Sequence, residues 1–498
     1  MYLTSTAPFS QLRSPREHVV GIERRVPVLD GSTRRYINFD NAASTPVLRE
    51  VLDTVNEFME WYSSVHRGTG FKSRLASEAY EHAREIVRGF VGANPEEHTV
   101  IFGKNATDAI NKLSYRLPLG SDDIVLVSNL EHHSNDLPWR ARARVERIGI
   151  DAFGALDEGH FDHLLCLHAG RVRLVAVTGG SNVTGHMPDI HRLAARAHAA
   201  GAQILVDCAQ LAPHRAIDMR TLADPAHLDY VALSAHKMYA PFGTGALIGR
   251  RDTFASGAPE YSGGGTVEFV APDDVAWASG PDRDEAGTPN VVGAVALASA
   301  VQALQRIGMQ SIHRHETELT AYALDRLASI DGLRLYGDAD PKQASHRLGV
   351  IAFNLAPYSH GLVAAVLATE FGVGVRNGCF CAHPYLVHLL GLTPDDVLRL
   401  RTEMEEGDRR QIPGMVRLSF GNYNTLEEVD LCAEALGKIA RGEFYGSYGQ
   451  DPSSGEYSAE GWAPDLASHF GFLQRSQTAA AMPSGRAPAP AGECTPWT

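Results

Sequence analysis

The sequence predicts an α/β protein with a large domain on a mostly parallel sheet and a smaller α+β domain. Short apolar runs bounded by turn residues recur between residues 99 and 248, and stretches with helical periodicity separate them. That alternation is typical of strands buried in a parallel sheet beneath covering helices. A segment rich in Gly, Pro and Asp at 256–290 indicates a long functional loop. With 498 residues the chain is also too long for one simple core.

Shifts in composition set the expected domain boundaries. We expect an N-terminal arm over 1–36, a large domain over 37–300, a small domain over 301–441 and a tail over 442–498. Beyond about residue 477 the tail consists mainly of Ala, Pro, Gly and Ser, which is typical of disorder. The tail is therefore expected to be partly disordered.

Each element is predicted from its own pattern. The arm ends in a hairpin around Asp30 and Gly31. A helix over 46–62 has proline in its first turn and places Val51 and Phe58 on one apolar face. The other elements of the large domain are a helix over 75–91, strands over 99–102, 124–127, 172–177, 204–207, 230–233 and 246–248, and helices over 107–117, 137–146 and 190–200. The small domain has strands over 350–354, 373–376 and 415–420 and helices over 362–370 and 426–440.

Composition excludes several classes of protein. The net charge of −14 argues against a general nucleic-acid binder. No stretch approaches the ~20 apolar residues of a membrane span, and the first residues lack the pattern of a signal peptide. Six cysteines in this length do not make a disulfide framework. We therefore expect a cytoplasmic protein without membrane or nucleic-acid partners.

A lysine and an aspartate at the ends of two predicted strands are the most informative residues. Asp207 ends the strand over 204–207, and Lys237 follows the strand over 230–233. A pyridoxal phosphate (PLP) enzyme needs such a pair, because its lysine forms a Schiff base with the cofactor aldehyde and its acid keeps the pyridine nitrogen protonated. Taken alone, Lys237 also fits a surface turn and Asp207 a helix cap, so the interpretation depends on their neighbours.

Several neighbours suit the phosphate of such a cofactor. Ser234 and His236 are hydrogen-bond donors directly beside Lys237. The strand-to-helix junction over 104–111 offers backbone amides together with the Thr107 hydroxyl. Thr107 fits a plain helix cap equally well.

Other residues suit the ring of the cofactor. Gln210 and Asn182 can donate to its phenolate oxygen, and His132 can stack over the pyridine ring, although an ordinary loop histidine is the alternative. The run over 313–316, His-Arg-His-Glu, has the residue types of a metal cluster but lies in a polar helix, which favours a solvated face. We therefore expect no metal site.

The motifs around these residues occur in the order of a known family. The chain resembles the class V aminotransferase group with the type I PLP fold, and within it the cysteine desulfurases and selenocysteine lyases, over roughly residues 36–441. The resemblance implies a mostly parallel seven-stranded sheet in the large domain. It is carried by Asn38-Phe39-Asp40-Asn41-Ala42-Ala43-Ser44-Thr45-Pro46, Val65-His66-Arg67-Gly68, Glu131-His132-His133-Ser134-Asn135, Ser181-Asn182-Val183-Thr184-Gly185, Val206-Asp207-Cys208-Ala209-Gln210, Ser234-Ala235-His236-Lys237, Glu285-Ala286-Gly287-Thr288-Pro289-Asn290, Val416-Arg417-Leu418-Ser419-Phe420 and Asn422-Tyr423-Asn424-Thr425.

The resemblance implies a role at each matching position. The cofactor-binding set is the Schiff-base residue Lys237, the pyridine partner Asp207, the phenolate-side residues Gln210 and Asn182, the stacking residue His132, and the phosphate-binding residues Thr107, Ser234 and His236. Arg417 matches the arginine that binds the substrate carboxylate, and Arg376 and His66 are further substrate-binding candidates. The family also implies a homodimer whose Gly264-Gly265-Thr266 loop reaches the neighbour's phosphate through Thr266.

The run Arg376-Asn377-Gly378-Cys379-Phe380-Cys381 matches the loop that carries the nucleophile of the desulfurases. Cys381 falls on that nucleophile, and Arg376 favours its thiolate electrostatically. The resemblance therefore implies that sulfur leaves L-cysteine to give alanine and a persulfide on Cys381. A sulfur-acceptor protein is the expected recipient of the sulfur from this persulfide.

Three alternatives remain open from the sequence. Cys381 also fits an ordinary buried thiol. Cys379 stands where relatives often have histidine, so either thiol, or a redox pair of both, fits the loop. Carbon–sulfur lyases, epimerases and aminotransferases share the scaffold, so the substrate is open between L-cysteine, selenocysteine and larger thio-amino acids.

Overall fold

The computed structural model of the chain describes residues 15–66 and 68–472. The first 14 residues of the expected arm and the expected disorder after about residue 477 lie outside the described residues. The chain begins with strands β1 (Arg25–Pro27), β2 (Thr33–Arg35) and β3 (Ile37–Asn38). β1 and β2 form the hairpin predicted around Asp30 and Gly31.

Two helices follow, α1 (Arg49–Trp61) and α2 (Phe71–Phe90). The expectation that α1 starts at Pro46 is wrong, because the segment before Arg49 is extended. The Thr45 backbone N–H holds this segment by donating to the His236 carbonyl at 2.9 Å. α1 buries Val51, Val55 and Phe58, as its apolar stripe predicts.

The next part of the chain builds the large sheet. Its strands are β4 (His98–Gly103), β5 (Ile124–Ser128), β6 (Arg144–Ile148), β7 (Val172–Thr178), β8 (Gln203–Asp207), β9 (Tyr230–Ser234) and β10 (Gly245–Arg250). The helices between them are α3 (Ala106–Arg116), α4 (Leu137–Arg140), α5 (Glu158–Leu167) and α6 (Ile190–Ala199). The strand order is β4-β10-β9-β8-β7-β5-β6, and β10 runs antiparallel to both neighbours. The mostly parallel seven-stranded sheet is thereby confirmed.

The predicted helix over 137–146 is wrong beyond its first turn. The helix α4 ends at Arg140, and the chain enters β6 at Arg144. β6 pairs in parallel with β5 from Arg144 to Ile148. β6 lies at the edge of the sheet, and most of its residues are only half-buried. Pairing with β5 supplies backbone partners that a single-sequence pattern does not show.

The second part of the chain contains a smaller antiparallel sheet. The elements here are β11 (Val267–Ala271), β12 (Asp274–Trp277), α7 (Val291–Ile307), α8 (Met309–Ala328), β13 (Leu333–Tyr336), β14 (Val350–Leu355), α9 (His360–Phe371), β15 (Val373–Gly374), β16 (Arg376–Gly378), α10 (His383–Leu390), α11 (Pro394–Glu405), β17 (Met415–Ser419), α12 (Leu426–Ala440), β18 (Tyr448–Gln450) and β19 (Tyr457–Ala459). The smaller sheet has the order β13-β14-β17-β16. β15 pairs with β3, so the start of the chain is attached to this part of the fold.

Residues after 441 continue as ordered structure up to residue 472. β18 and β19 form an antiparallel hairpin that packs on α9. The buried Glu370 of α9 accepts hydrogen bonds from the Gly446 backbone N–H and the Tyr448 hydroxyl, both at 2.9 Å. Among the described residues no single helix has the length and apolar composition of a membrane span, and one bent pair, α7 with α8, meets those criteria only when taken together.

The run over 313–316 does not form a solvated face, because Glu316 is buried in the fold. Its carboxylate contacts His214 Nδ1 at 3.0 Å, the Arg215 guanidinium and the Gly349 backbone N–H. Although burial raises the pKa of Glu316, His214 and Arg215 outweigh that effect and lower it to about 2. An ion pair between α8 and the segment after β8 is therefore part of the core.

Replacing Glu316 by Gln is expected to lower the free energy of unfolding by about 3 kcal/mol near neutral pH, because a buried guanidinium loses its counter-ion. The folded-state pKa lies below the unfolded value, so this contribution is present above about pH 4.5 and is lost as the pH falls towards 2. Thermal unfolding midpoints measured between pH 7 and pH 3 should therefore converge for wild type and variant. The exposed Glu318 of the same helix supplies the control, Glu318→Gln, and an equal effect of both changes would contradict the prediction.

Candidate active site

Four strand ends of the large sheet bring predicted residues to one edge. His132 follows β5, Asn182 follows β7, Asp207 ends β8 and Lys237 follows β9. These strands run parallel and lie side by side, so their carboxyl ends meet at the same edge of the sheet. The structure therefore places these four residues in one region.

Lys237 lies in an environment that favours its neutral amine. Burial, together with the nearby Arg417 and against the attraction of Asp207, lowers the pKa of Lys237 to about 8. Burial also raises the pKa of Asp207, even though its carboxylate accepts a hydrogen bond from the Ala209 backbone N–H at 2.9 Å. At neutral pH a larger fraction of the Lys237 amine is thus free to act as a nucleophile than in an exposed lysine.

His132 is held as a neutral ring with a defined tautomer. Burial and the charge of Lys237 lower the pKa of His132 to about 4. Its Nδ1 accepts a hydrogen bond from the Ser134 backbone N–H at 3.1 Å, so the ring proton resides on Nε2. The ring is therefore uncharged at neutral pH and carries its single N–H on the side away from Ser134.

Three hydroxyl groups meet at the N-terminus of α3. The Ala106 backbone N–H points at Ser234 Oγ at 3.4 Å, and Thr107 Oγ1 lies 2.6 Å from Ser134 Oγ. The alternative that Thr107 caps the helix is wrong, because Asn105 is the cap and accepts from the Asp108 backbone N–H at 3.0 Å. Amides and hydroxyls at the start of a helix are suited to a phosphate group.

His236 is fixed through its backbone. Its carbonyl accepts hydrogen bonds from the Thr45 backbone N–H at 2.9 Å and from the Ser44 hydroxyl at 3.1 Å. Burial and the charge of Lys237 lower the pKa of its ring to about 4. His236 is therefore a neutral donor beside Lys237 at physiological pH.

The side chains of Gln210 and Asn182 are both buried and both engaged. Gln210 donates from Nε2 to the Ala42 carbonyl at 2.8 Å. Asn182 donates from Nδ2 to the Phe380 carbonyl at 2.8 Å. Asn182 thus joins the end of β7 to the loop that carries the two cysteines.

That loop forms a tight turn with two residues in the left-handed region. Phe380 has φ 53° and Cys381 has φ 55°, a conformation that costs about 1–3 kcal/mol for each non-glycine residue. The Asn182 amide holds the Phe380 carbonyl, and the Cys381 carbonyl accepts from the His133 backbone N–H at 2.8 Å. Phe380 points inward, whereas Cys381 is exposed.

Cys381 is exposed but belongs to the same charge cluster as the predicted lysine. A charge on its sulfur acts on the pKa of both Lys237 and Arg417, and raises each of them. Cys379 is only partly exposed and packs against the large hydrophobic core. Of the two thiols in the loop, Cys381 is therefore the exposed one and the one that acts electrostatically on Lys237 and Arg417.

Two arginines share one aspartate at the edge of the site. Arg417 of β17 is 3% exposed and donates to Asp40 Oδ1 at 3.0 Å, and Arg376 of β16 contacts Asp40 Oδ2 at 3.0 Å. Arg417 also donates to the Asn182 carbonyl and stacks over the Phe380 ring, 4.8 Å from its centroid. Its guanidinium is thus positioned by groups on three separate segments.

His66 and the loop of Thr266 lie together, but apart from the other predicted residues. His66 and the glycines at 264 and 265 line a cavity of about 590 Å³ whose lining includes none of the other predicted site residues. Thr266 is buried and donates its hydroxyl to the Gly263 carbonyl at 2.7 Å. Within this single chain they do not reach Lys237.

Two acidic residues in this region had no predicted role. Asp40 is connected to Arg417 by a contact between residues 377 positions apart, which no local pattern shows. Glu131 is buried, accepts from Asn135 Nδ2 and the Thr178 backbone N–H at 2.7 Å, and has its pKa raised to about 8 by burial. The sequence signals for Glu131 are its place directly before His132 and its membership of the run over 131–135 that carries the family resemblance.

Comparison with known proteins gives a consistent result. A model of the family described as Aminotransferase class-V matches residues 37–432. A protein of Staphylococcus epidermidis named "Probable cysteine desulfurase" is 34% identical over 426 residues, 84% of this chain and 96% of the relative. A protein of Halalkalibacterium halodurans with the same name is 34% identical over 435 residues, 85% of this chain and 98% of the relative.

Solved structures are similar as well. The apo cysteine desulfurase of Thermococcus onnurineus aligns with a TM-score of 0.72 at 30% identity, covering 86% of this chain and 99% of that one. The cysteine desulfurase CsdA of Escherichia coli aligns with a TM-score of 0.71 at 28% identity, covering 87% of this chain and 100% of that one. In each comparison the relative is covered almost completely, and this chain extends beyond it.

Proposed function

The chain belongs to the class V aminotransferase family, and on this premise we propose that it removes sulfur from L-cysteine to give alanine and a persulfide on Cys381. The observation that carries the proposal is the exposed Cys381 in one charge cluster with Lys237 and Arg417. A sulfur nucleophile, an amine base and a carboxylate-binding guanidinium are the groups that such a reaction requires.

As a member of this family the chain is a PLP-dependent enzyme, and the residues at the sheet edge fit that cofactor. Asp207 is a buried carboxyl, and burial raises its pKa. A protonated pyridine nitrogen beside it would lower that pKa again and so stabilise the carboxylate. Lys237 offers the amine for the aldehyde, and the start of α3 with Ser234 and Thr107 offers donors to the phosphate. His132, Gln210 and Asn182 are the residues proposed to contact the ring of the cofactor. PLP supplies an electron sink that stabilises negative charge on the substrate carbons.

The residues of the chain supply binding and proton transfer. Arg417 binds the substrate carboxylate through its planar guanidinium, and Arg376 is a further substrate-binding residue. His66, which lies apart from them within one chain, would join them only from the second chain of the homodimer proposed below. Lys237 takes the proton from the α carbon, which its pKa of about 8 permits near neutral pH. His132, neutral with Nε2 protonated, is the residue proposed to exchange a proton with the reacting molecule.

The sulfur transfer balances without an external oxidant. The Cys381 thiolate attacks the sulfur of the bound cysteine, so an S–S bond forms as the substrate C–S bond breaks. The electron pair of that C–S bond stays with the β carbon, which takes up one proton and becomes the methyl group of alanine. Sulfur is oxidised and carbon is reduced, and the transferred sulfur remains as a persulfide on Cys381 until an acceptor thiol takes it.

We further propose a cytoplasmic homodimer. The hairpin of β11 and β12 exposes Phe269 and Val270, and it directly follows Thr266. A second chain covering this hairpin would bury that apolar surface and bring Thr266 towards the neighbouring cofactor phosphate. A sulfur-acceptor protein is the proposed partner for the exposed Cys381.

Product analysis tests the proposed function. Purified, PLP-loaded protein is incubated with L-cysteine and a reductant, and alanine, sulfide and pyruvate are quantified together. Equal amounts of alanine and sulfide are the expected result. Sulfide with pyruvate would assign a carbon–sulfur lyase instead, and conversion of cysteine to its keto acid or its D-isomer would assign an aminotransferase or an epimerase.

The rate of cofactor loading is expected to depend on pH through Lys237. Only the neutral amine attacks the PLP aldehyde, so the rate should rise about tenfold per pH unit below pH 8 and level off above it. Stopped-flow absorbance of the cofactor-free protein mixed with PLP between pH 6.5 and 9.5 measures this profile. A free lysine derivative serves as the control, and a rise that continues to pH 9.5 in the protein would contradict the prediction.

A further inference from the structure

A cluster of two histidines and an aspartate lies at the edge of the large sheet opposite to Lys237. Asp229 directly precedes β9, His227 lies two residues before it, and His198 is in the last turn of α6. Lys237 follows the other end of β9, so the cluster and the candidate active site lie at opposite ends of that strand. The side chain of Asp229 is fully buried, whereas that of His198 is 18% exposed.

The Nδ1 atom of each imidazole forms a hydrogen bond with a backbone carbonyl oxygen. His198 Nδ1 lies 2.7 Å from the Pro225 carbonyl oxygen, and His227 Nδ1 lies 2.6 Å from the Asp224 carbonyl oxygen. A carbonyl oxygen only accepts hydrogen bonds, so each Nδ1 carries a proton. In the neutral ring the lone pair is then on Nε2.

Both Nε2 atoms face the same carboxylate. His198 Nε2 lies 2.9 Å from Asp229 Oδ2, and His227 Nε2 lies 3.3 Å from Asp229 Oδ1. Lone pairs on nitrogen and on carboxylate oxygen repel each other at these distances. Protonating His198 alone would turn its contact with Asp229 into a hydrogen bond, but the lone pair of His227 Nε2 would still face Asp229 Oδ1. Protonating both rings would remove the repulsion, but it would place two stacked cations, with centroids 4.0 Å apart, beside a third cation, Arg250. A cation bound between the three side chains satisfies all of these lone pairs at once.

We propose that His198 Nε2, His227 Nε2 and the Asp229 carboxylate bind one divalent transition-metal ion of the zinc class. Zinc takes imidazole nitrogen and carboxylate oxygen at about 2.0–2.2 Å in a tetrahedral arrangement, which places neighbouring donors about 3.3 Å apart. The donor atoms of the three residues all lie within 4.8 Å of one another, so small rotations of the rings meet this spacing. A water molecule on the exposed side of His198 completes the coordination.

The groups around the cluster have the arrangement expected behind metal ligands. Ligating histidines usually donate their second N–H to a backbone carbonyl, as both rings do here, and ligating carboxylates accept further hydrogen bonds. The Ile204 backbone N–H donates to Asp229 Oδ2 at 2.9 Å, and Arg250 Nη1 contacts Asp229 Oδ1 at 3.2 Å. Arg250 also pairs with Asp252, so its charge is shared with a second carboxylate. The carboxylate thus keeps a lone pair on each oxygen for the ion.

The proposed ion would join α6 to the strand that leads to Lys237. Its ligands come from the end of α6 and from the turn before β9. The site is separate from the PLP chemistry, so its existence does not depend on the proposed function. Its expected effect is on stability, because an ion that binds only the folded chain stabilises it by an amount that grows with the logarithm of the ratio of ion concentration to Kd.

Zinc binding by PLP-loaded protein tests the proposal. Competition with a chromogenic chelator is expected to show one tight equivalent per chain, weakened by at least about 10- to 100-fold in His198→Ala and in His227→Ala. The control is His191→Ala, on the same helix, whose Nδ1 lies 2.8 Å from the Ala226 carbonyl outside the cluster. Unchanged binding in both cluster variants, or no tight equivalent in wild type, would overturn the proposal.

A second measurement identifies the ligands. Co²⁺ bound in place of zinc is expected to show the absorption of nitrogen and oxygen ligation, without the strong thiolate-to-metal band that Cys379 or Cys381 would produce. If the tightly bound Co²⁺ shows a thiolate-to-metal band, the cysteine loop binds the ion and the proposal is overturned. The thermal midpoint should rise with zinc in wild type and in His191→Ala but not in His227→Ala.

Discussion

Replacing Cys381 by alanine is expected to lower the formation of alanine and sulfide from L-cysteine by at least about 10³-fold, the scale on which loss of a covalent nucleophile acts. Cys381 is the exposed thiol of the loop, and its sulfur lies in the electrostatic neighbourhood of Lys237 and Arg417. The variant should still bind PLP, because Lys237 and Asp207 are unchanged. Initial rates of alanine formation and the cofactor absorbance measure the two effects separately.

Two matched variants make this test specific. Cys379→Ala removes the other thiol of the loop, and Cys166→Ala removes an exposed thiol at the end of α5. Both are expected to keep alanine formation within a few-fold of wild type. If Cys379→Ala were as inactive as Cys381→Ala, a pair of thiols would carry the sulfur. Full activity of Cys381→Ala would reject Cys381 as the nucleophile.

Replacing Lys237 by alanine is expected to abolish covalent attachment of PLP and to lower turnover by at least about 10³-fold, because the residue is proposed both to bind the aldehyde and to move the α-proton. Non-covalent contacts at the start of α3 should still retain part of the cofactor. Mass spectrometry after borohydride reduction measures the covalent link, and added small primary amines should restore a fraction of the turnover.

The control for this change is Lys342→Ala, an exposed lysine between β13 and β14. It should keep both the covalent link and the turnover. Covalently attached PLP in Lys237→Ala would show that another amine holds the aldehyde. Rescue by amines distinguishes a missing proton-transfer group from a misfolded site, because a misfolded site would not respond to them.

Apolar runs in the sequence are sufficient to predict candidate site residues that lie at the ends of strands. β8 and β9 are predicted by apolar runs, and their ends place Asp207 and Lys237 at one edge without further information. The sequence favours helix over the first residues of the edge strand β6 because the charged Arg144 and Glu146 also fit a helix surface. Pairing with β5 decides between helix and strand for this segment. That pairing joins residues that are not neighbours in the sequence, so no local pattern shows it.

The same limit applies to contacts between charged groups. Asp40 lies in a recognisable run, but its contacts with Arg376 and Arg417 depend on how the start of the chain packs on the smaller sheet. Glu316 was assigned to a solvated face because its neighbours in sequence are polar, whereas in space it meets His214 and Arg215. Polar residues that are buried by distant segments carry no local signal of that burial.

The aspartate shared by two arginines also sets the net charge around Arg417. Asp40 neutralises one of the two guanidinium charges of Arg376 and Arg417, which leaves an excess of one positive charge at the entrance to the buried Arg417. A substrate with one carboxylate brings this trio to electrical neutrality, whereas a dicarboxylate brings an unpaired negative charge and an amide leaves the positive charge uncompensated. Uncompensated charge is costly where water is scarce. On the proposal that Arg417 binds the substrate carboxylate, this charge balance favours amino acids with a single carboxylate.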